Sequence, residues 1–190
     1  MKKLFFTLVL LLAPMLHGTS AQNPQHDTTM NKKILVAYFS ATGTTARVAE
    51  RLARQSGGDL FRIDPARPYT ADDLNWHNAR SRSSVEMNDP TARPALQHTC
   101  PAIGSYEVIF LGYPIWWDLA PRIIETFIEQ HPQLAGKTVI PFATSGGSGI
   151  AASTAALKRD YPALHWLPGR LLNRSDEATL RNWLEQLSLR

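Results

Sequence analysis

Residues 33–45 read Lys-Ile-Leu-Val-Ala-Tyr-Phe-Ser-Ala-Thr-Gly-Thr-Thr, and their order decides the fold class. Lys33–Phe39 is a short, continuous apolar run rich in strand formers, the composition of a strand buried on both faces in a parallel sheet. A hydroxyl-rich turn, Ser40 to Thr45, follows at once. Beyond it, Val48, Ala49, Leu52 and Ala53 recur at helical spacing over Thr44–Gln55, and Gly57-Gly58 closes that helix.

Working outward, the same alternation continues. Leu60–Asp64 reads as a second strand, Glu107–Tyr113 as a third and Lys137–Ala143 as a fourth, and Leu164–Leu172 contains a fifth, less regular one. Helices are expected at Pro121–Gln130, with Pro121 near the first turn, and at Ile150–Arg159. A last helix starts at Ser175-Asp176-Glu177, with an apolar stripe of Leu180, Trp183, Leu184 and Leu187. Thr70 with Asp73 three residues on has the form of a capping box and predicts a helix through about Arg80. Ser81–Ser105 reads mainly as irregular loop. Five strand–helix alternations predict an α/β fold, a parallel sheet with helices on both faces. Ligands of such sheets sit beyond the carboxyl ends of the strands, where strand order reverses.

Three loops therefore carry the chemistry. The first, Ser40-Ala41-Thr42-Gly43-Thr44-Thr45, joins a buried strand to a helix N-terminus, whose unpaired N–H groups and dipole favour an anion. It lacks the Gly-Lys-Ser/Thr of a Walker A loop and the G-x-G-x-x-G of a dinucleotide site, so it suits a terminal monophosphate that is held and not transferred. Read more plainly, it is a capped turn. The second, Gly112-Tyr113-Pro114-Ile115-Trp116-Trp117-Asp118, carries three aromatics in five residues, able either to line a planar ring or to pack in the core. Asp118 either begins the next helix as a solvated residue or, beside a redox ring, lowers its potential. The third, Thr144-Ser145-Gly146-Gly147-Ser148-Gly149, offers backbone amides for the polar edge of a ring, or is a flexible turn. It is not a G-x-S-x-G nucleophile elbow, because position 150 is Ile.

Composition narrows the function classes. The chain has 190 residues, enough for one ordinary domain, and its 44% hydrophobic content supports a real core. Its single cysteine, Cys100, excludes an intramolecular disulfide and, after five intervening residues, is followed by Tyr106, not the Arg of a Cys-x5-Arg phosphatase loop. The six histidines form no H-E-x-x-H or close pair, so no metal site is expected. The net charge of +4 comes from scattered Lys and Arg, not clustered with aromatics, so no nucleic-acid partner is expected.

The N-terminus reads as an address. Lys2 and Lys3 precede an apolar run from Leu4 to Leu16, and Thr19 and Ala21 stand where a signal peptidase reads. Residues 1–21 are thus expected to be a signal peptide and 22–31 a flexible lead-in, with the folded domain over 32–190. The run falls short of the ~20 apolar residues of a membrane span, so no stable span is expected after cleavage. Export to the periplasm is the resulting expectation. Translation from Met30 would instead give a cytoplasmic protein.

The set FSATGTT, GYPIWWDLAP and ATSGGSGI resembles the flavodoxin-like family, in particular its small bacterial members with a G-Y-P-I-W-W loop. The resemblance runs from about Lys32 to the C-terminus with all three motifs in order. It implies a three-layer sandwich around a five-stranded parallel sheet of order 2-1-3-4-5, and FMN as cofactor. The implied phosphate loop is Ser40, Ala41, Thr42, Gly43, Thr44 and Thr45. The implied ring contacts are Pro114, Ile115, Trp116 and Trp117 on one side and Thr144, Ser145, Gly146 and Gly147 on the other, with Trp116 or Trp117 on the ring face. The stretch Arg80–Pro94 also resembles these members, though no residue of it is carried over. No catalytic side chain is required, because the flavin supplies the chemistry. The implied activity is an FMN oxidoreductase or electron carrier, with electron donor and acceptor unspecified. Alternatives are an NAD(P)H-dependent quinone-type reductase and a non-catalytic flavin- or partner-binding module. Carriers of this kind usually present an acidic face, and this chain is mildly basic.

Overall fold

The computed structural model of the chain describes residues 1, 32–173 and 176–189. The expected signal peptide beyond Met1, the lead-in to residue 31 and Ser175 at the expected start of the last helix lie outside the described residues. The strands are β1 (Ile34–Tyr38), β2 (Asp59–Arg62), β3 (Val108–Pro114), β4 (Thr138–Thr144), β5 (His165–Trp166) and β6 (Arg170–Leu171). The helices are α1 (Thr44–Ser56), α2 (Arg82–Asn88), α3 (Arg122–Glu129), α4 (Ala151–Asp160) and α5 (Glu177–Gln186). The sheet runs β2-β1-β3-β4-β5 and every pairing is parallel, the order expected from the resemblance.

Strand alternation builds the two cores. Leu35, Ala37 and Phe39 face one side with Ile109, Leu111 and Tyr113, where Ile123, Ile124 and Phe127 of α3 and Leu157 of α4 cover them. Ile34, Val36 and Tyr38 face the other with Phe110 and Phe142, under α1 and α5. The apolar stripes of those helices meet the sheet through Val48, Ala49 and Leu52 in α1 and Leu180 and Trp183 in α5. One backbone position makes this packing possible. Gly112 pairs with Phe142 across β3 and β4, and a Cβ on Gly112 would lie 2.1 Å from the Phe142 ring.

Register aligns the functional end. Pro114 at the end of β3 pairs with Thr144 at the end of β4, and Tyr38 pairs with Gly112. The loops leaving β1, β3 and β4 therefore open at one edge of the sheet.

Three expectations are corrected. The capping box forms, with the Thr70 N–H donating to Asp73 Oδ2 (3.0 Å) and the Asp73 N–H to Thr70 Oγ1 (3.1 Å), but no helix grows from it. Asn75 and Asn78 accept from the backbone N–H groups of His77 and Arg80, and these side-chain turns compete with helical bonds. Within the expected loop 81–105, α2 forms instead, capped by Ser81 Oγ accepting from the Ser84 N–H and braced by an Arg82–Glu86 pair one turn apart. The fifth strand is split into β5 and β6, with Pro168 and Gly169 between them. A Cβ on Gly169 would come within 2.9 Å of the Pro141 carbonyl oxygen, so the chain crosses β4 closely there.

Candidate functional site

Thr144 is the point where the three loops join. Its hydroxyl lies 2.8 Å from that of Thr45, tying the loop after β4 to the first turn of α1. Its carbonyl accepts from the Ile115 N–H (2.8 Å), tying the same residue to the loop after β3. Both threonine side chains are buried, so these bonds are shielded from water.

Loop one is rich in free donors. The backbone N–H groups of Ala41 through Ala46 take no acceptor among the described residues. Gly43 sits at the N-cap of α1 with φ +85°, no side chain caps the helix, and no acidic residue stands in its first turn. The positive φ turns the chain so that consecutive amides point the same way, a concavity suited to an anion. Ser40 is only 6% exposed, and its hydroxyl makes no hydrogen bond among the described residues. Ala41 is half-buried against the core, whereas Thr42 and Thr44 are exposed. Of the four expected phosphate hydroxyls, Thr45 is thus occupied in holding the loops together. The other three remain available, Thr44 only loosely engaged by Arg47 at 3.4 Å.

Loop two separates its two tryptophans. Trp116 stands edge-on to Phe39 (5.7 Å) and Tyr69 (5.3 Å), part of a packed cluster. Arg82 lies over the Tyr69 ring, and the Tyr69 hydroxyl donates to Glu86. Burial and that bond push the Tyr69 phenol far above its ordinary pKa, so it stays a donor. Trp117 is 46% exposed. Between Trp116 and Leu119 the chain makes a two-residue reversal, the two residues exchanging both backbone hydrogen bonds at 2.9 Å. Both central residues have positive φ, Trp117 at 45° and Asp118 at 63°, the geometry of a type I′ turn that sequences usually fill with Asn-Gly. An indole in the left-handed region is strained, and such strain gathers at functional sites. The turn holds the Trp117 ring outward, together with the exposed Asp118.

Loop three is clamped by a residue outside the expected set. Asn173, just after β6, accepts from the Ser145 N–H and donates to the Ser145 carbonyl, both at 2.7 Å. The Gly147 N–H bends back to Ser145 Oγ (3.1 Å). The Gly146 amide takes no acceptor among the described residues. The structure thus brings all three expected loops together, and adds Asn173, the Tyr69–Arg82–Glu86 support of Trp116, and Arg47. Arg82 and Glu86 fall within the Arg80–Pro94 stretch that carries part of the resemblance, and Arg47 has a signal of its own, as a cation one turn into a helix whose start is otherwise prepared for an anion.

A cavity of about 1060 Å³ lies elsewhere, between α1 and α5, lined by Arg51, Arg54, Glu177 and Arg181 among others. It contains none of the loop residues, and the loop constellation is the better candidate because its donors converge. Among the described residues no group of three or more His, Cys, Asp or Glu stands close enough to hold a metal, and no helix is long and apolar enough to cross a membrane.

Fold and loops together define an α/β protein of the flavodoxin-like class. The sequence model of the flavodoxin family matches residues 33–187, and the chain belongs to that family. It is similar to the crystal structure of a candidate flavoprotein from Bacteroides eggerthii DSM 20697, at 64% identity over 84% of this chain and 100% of that one, with a TM-score of 0.82. A second candidate flavoprotein, from Bacteroides uniformis ATCC 8492, is 52% identical over 82% of this chain and 99% of that one, with a TM-score of 0.78. The fold is shared with a Lactobacillus acidophilus NCFM flavoprotein solved in complex with FMN, at 19% identity over 80% of this chain and 99% of that one, with a TM-score of 0.64. Comparison with curated proteins gives no match.

Proposed function

We propose that the chain binds FMN between its three loops and acts as an FMN-dependent oxidoreductase or electron-transfer protein. The observation that carries this reading is the convergence at Thr144. One hub residue fixes a cradle of free amides, an outward indole and a glycine-rich turn at a single sheet edge. Ser40, Thr42, Thr44 and the amides of Ala41 through Ala46 would hold the phosphate. Trp117 would cover the ring face, because Trp116 is committed to packing against Phe39 and Tyr69. The Gly146 amide would meet the polar edge of the ring. Bound FMN supplies one- and two-electron redox chemistry, and the protein supplies its binding, orientation and electrostatics. The Bacteroides relatives and the FMN complex of the Lactobacillus protein support the cofactor assignment.

Titration of the purified protein with FMN tests the reading, with expected quenching of flavin fluorescence and a shifted visible spectrum. A protein that leaves both unchanged refutes it. Steady-state assays with NAD(P)H and a quinone then divide the class: turnover without a protein partner identifies a reductase, and none leaves a carrier or a non-catalytic binding module. The leader sequence supports action outside the cytoplasm. The mass of the native N-terminus tests this, since Gln22 means export and Met30 means a cytoplasmic protein.

A further inference from the structure

The first turn of α1 contradicts the usual electrostatics of a helix start. The N-terminal end of a helix carries a partial positive charge and favours acidic side chains. Here no acid is present, no side chain caps the turn, and a cation, Arg47, reaches back to its first residue, Thr44. Helical side chains point back toward the N-terminus, and Arg47 follows that rule. Its Nη2 lies 3.4 Å from Thr44 Oγ1, and its Nη1 is 3.5 Å from where a Cβ on Gly43 would stand. The guanidinium therefore leans over the loop on top of the unpaired amides. No carboxylate pairs with it among the described residues. Ser40, a residue only 6% exposed whose hydroxyl takes no partner among the described residues, belongs to the same loop. Cation, dipole end and free donors together concentrate positive potential at this loop.

We infer that Arg47 is a ligand-binding residue that pairs with the terminal phosphate dianion and makes the site selective for a phosphorylated flavin. This rests on the FMN reading proposed above and extends it to a residue outside the hydroxyl loop. A phosphate monoester carries close to two negative charges at neutral pH, and a guanidinium offers it a forked set of donors. Gly43 contributes its left-handed φ of 85°, a conformation that side chains with a Cβ rarely adopt.

The test measures dissociation constants of FMN and of riboflavin, which lacks the phosphate, for the wild type, Arg47→Ala and Arg47→Lys. Arg47 is exposed, so both variants should melt with the wild type, which the same preparations can confirm. The expected result is an FMN affinity about tenfold weaker in Arg47→Ala, the low end for a charge-assisted hydrogen bond because solvent screens it. Riboflavin affinity should stay unchanged, and Arg47→Lys should retain most of the FMN preference. The gap between wild type and Arg47→Ala should narrow as salt is raised. An equal loss for both flavins, or no loss for FMN, overturns the inference and leaves the FMN assignment standing. A wild-type protein that binds neither flavin overturns both.

Discussion

Trp117 offers a test in which stability and binding move in opposite directions. Its φ of 45° places a side chain with a Cβ in the left-handed region, at a cost of about 1–2 kcal/mol. Trp117→Gly removes that cost but adds about 0.5–1 kcal/mol of unfolded-state entropy. Trp117→Ala keeps the Cβ and therefore most of the strain. The glycine variant should thus be the more stable of the two by roughly 0.5–1 kcal/mol, about 1–4 °C in Tm for a domain of this size. At a position with ordinary negative φ the order would be the reverse, so the sign is diagnostic. Binding should respond differently. With the ring 46% exposed, about 100 Å² of indole is open to a planar ligand, and covering one face of it contributes about 1–2 kcal/mol. Both variants should therefore bind FMN about five- to thirtyfold more weakly. Thermal melts of the flavin-free proteins and fluorescence titrations with FMN read the two effects separately. An alanine variant as stable as the glycine one would refute stored strain in the turn. Unchanged FMN affinity in both would remove Trp117 from the ring face.

Gly112→Ala should destabilise the fold by about 2–3 kcal/mol, since the new methyl would meet the fully buried Phe142 ring at 2.1 Å, and urea denaturation measures it. Asn173→Ala should cost about 1 kcal/mol of stability and weaken FMN binding severalfold, because loop three loses the two 2.7 Å bonds that hold Ser145; unchanged values on both counts would mean the loop holds its shape alone. His131 gives a pH dependence. Its Nε2 accepts from the Cys100 N–H (2.8 Å), so Nδ1 carries the proton and donates to the Phe127 carbonyl (2.6 Å). Burial holds its pKa below the ordinary histidine value, so the unfolded chain takes up a proton first as pH falls. Stability from this site is complete above about pH 6.5 and declines below it toward the lower folded pKa. Urea midpoints at pH 7.5 and 5.5 should show a drop that His131→Gln lessens; equal drops would assign the acid sensitivity elsewhere.

The sheet was legible because the central strands are continuous, largely apolar runs, a composition that two-sided burial explains, as in Ile34–Phe39. Loops one, two and three could be located because α/β topology fixes the end of the sheet at which ligands bind. What sequence left open was local competition. The Thr70–Asp73 box forms as written, yet Asn75 and Asn78 divert the backbone before a second turn can grow. Helix α2 buries Ser83, Ser84 and Met87, and two small hydroxyls give no apolar stripe to detect. The choice between Trp116 and Trp117 depended on Tyr69, 47 positions upstream of Trp116 and brought beside it only by the fold. Asn173 was invisible for the same reason, since nothing near it in sequence marks it as the partner of Ser145.

Parallel strands all begin at one end of the sheet and finish at the other, and this gives the molecule a polarity. The chain enters β1 at Ile34, level with Val108, while the three loops leave from the opposite edge. Anything fused ahead of β1 is therefore attached at the back of the domain. A tether, a surface-immobilisation tag or an uncleaved leader would present the three loops outward, away from the point of attachment. A fusion partner at the front would have to be built into the loops themselves.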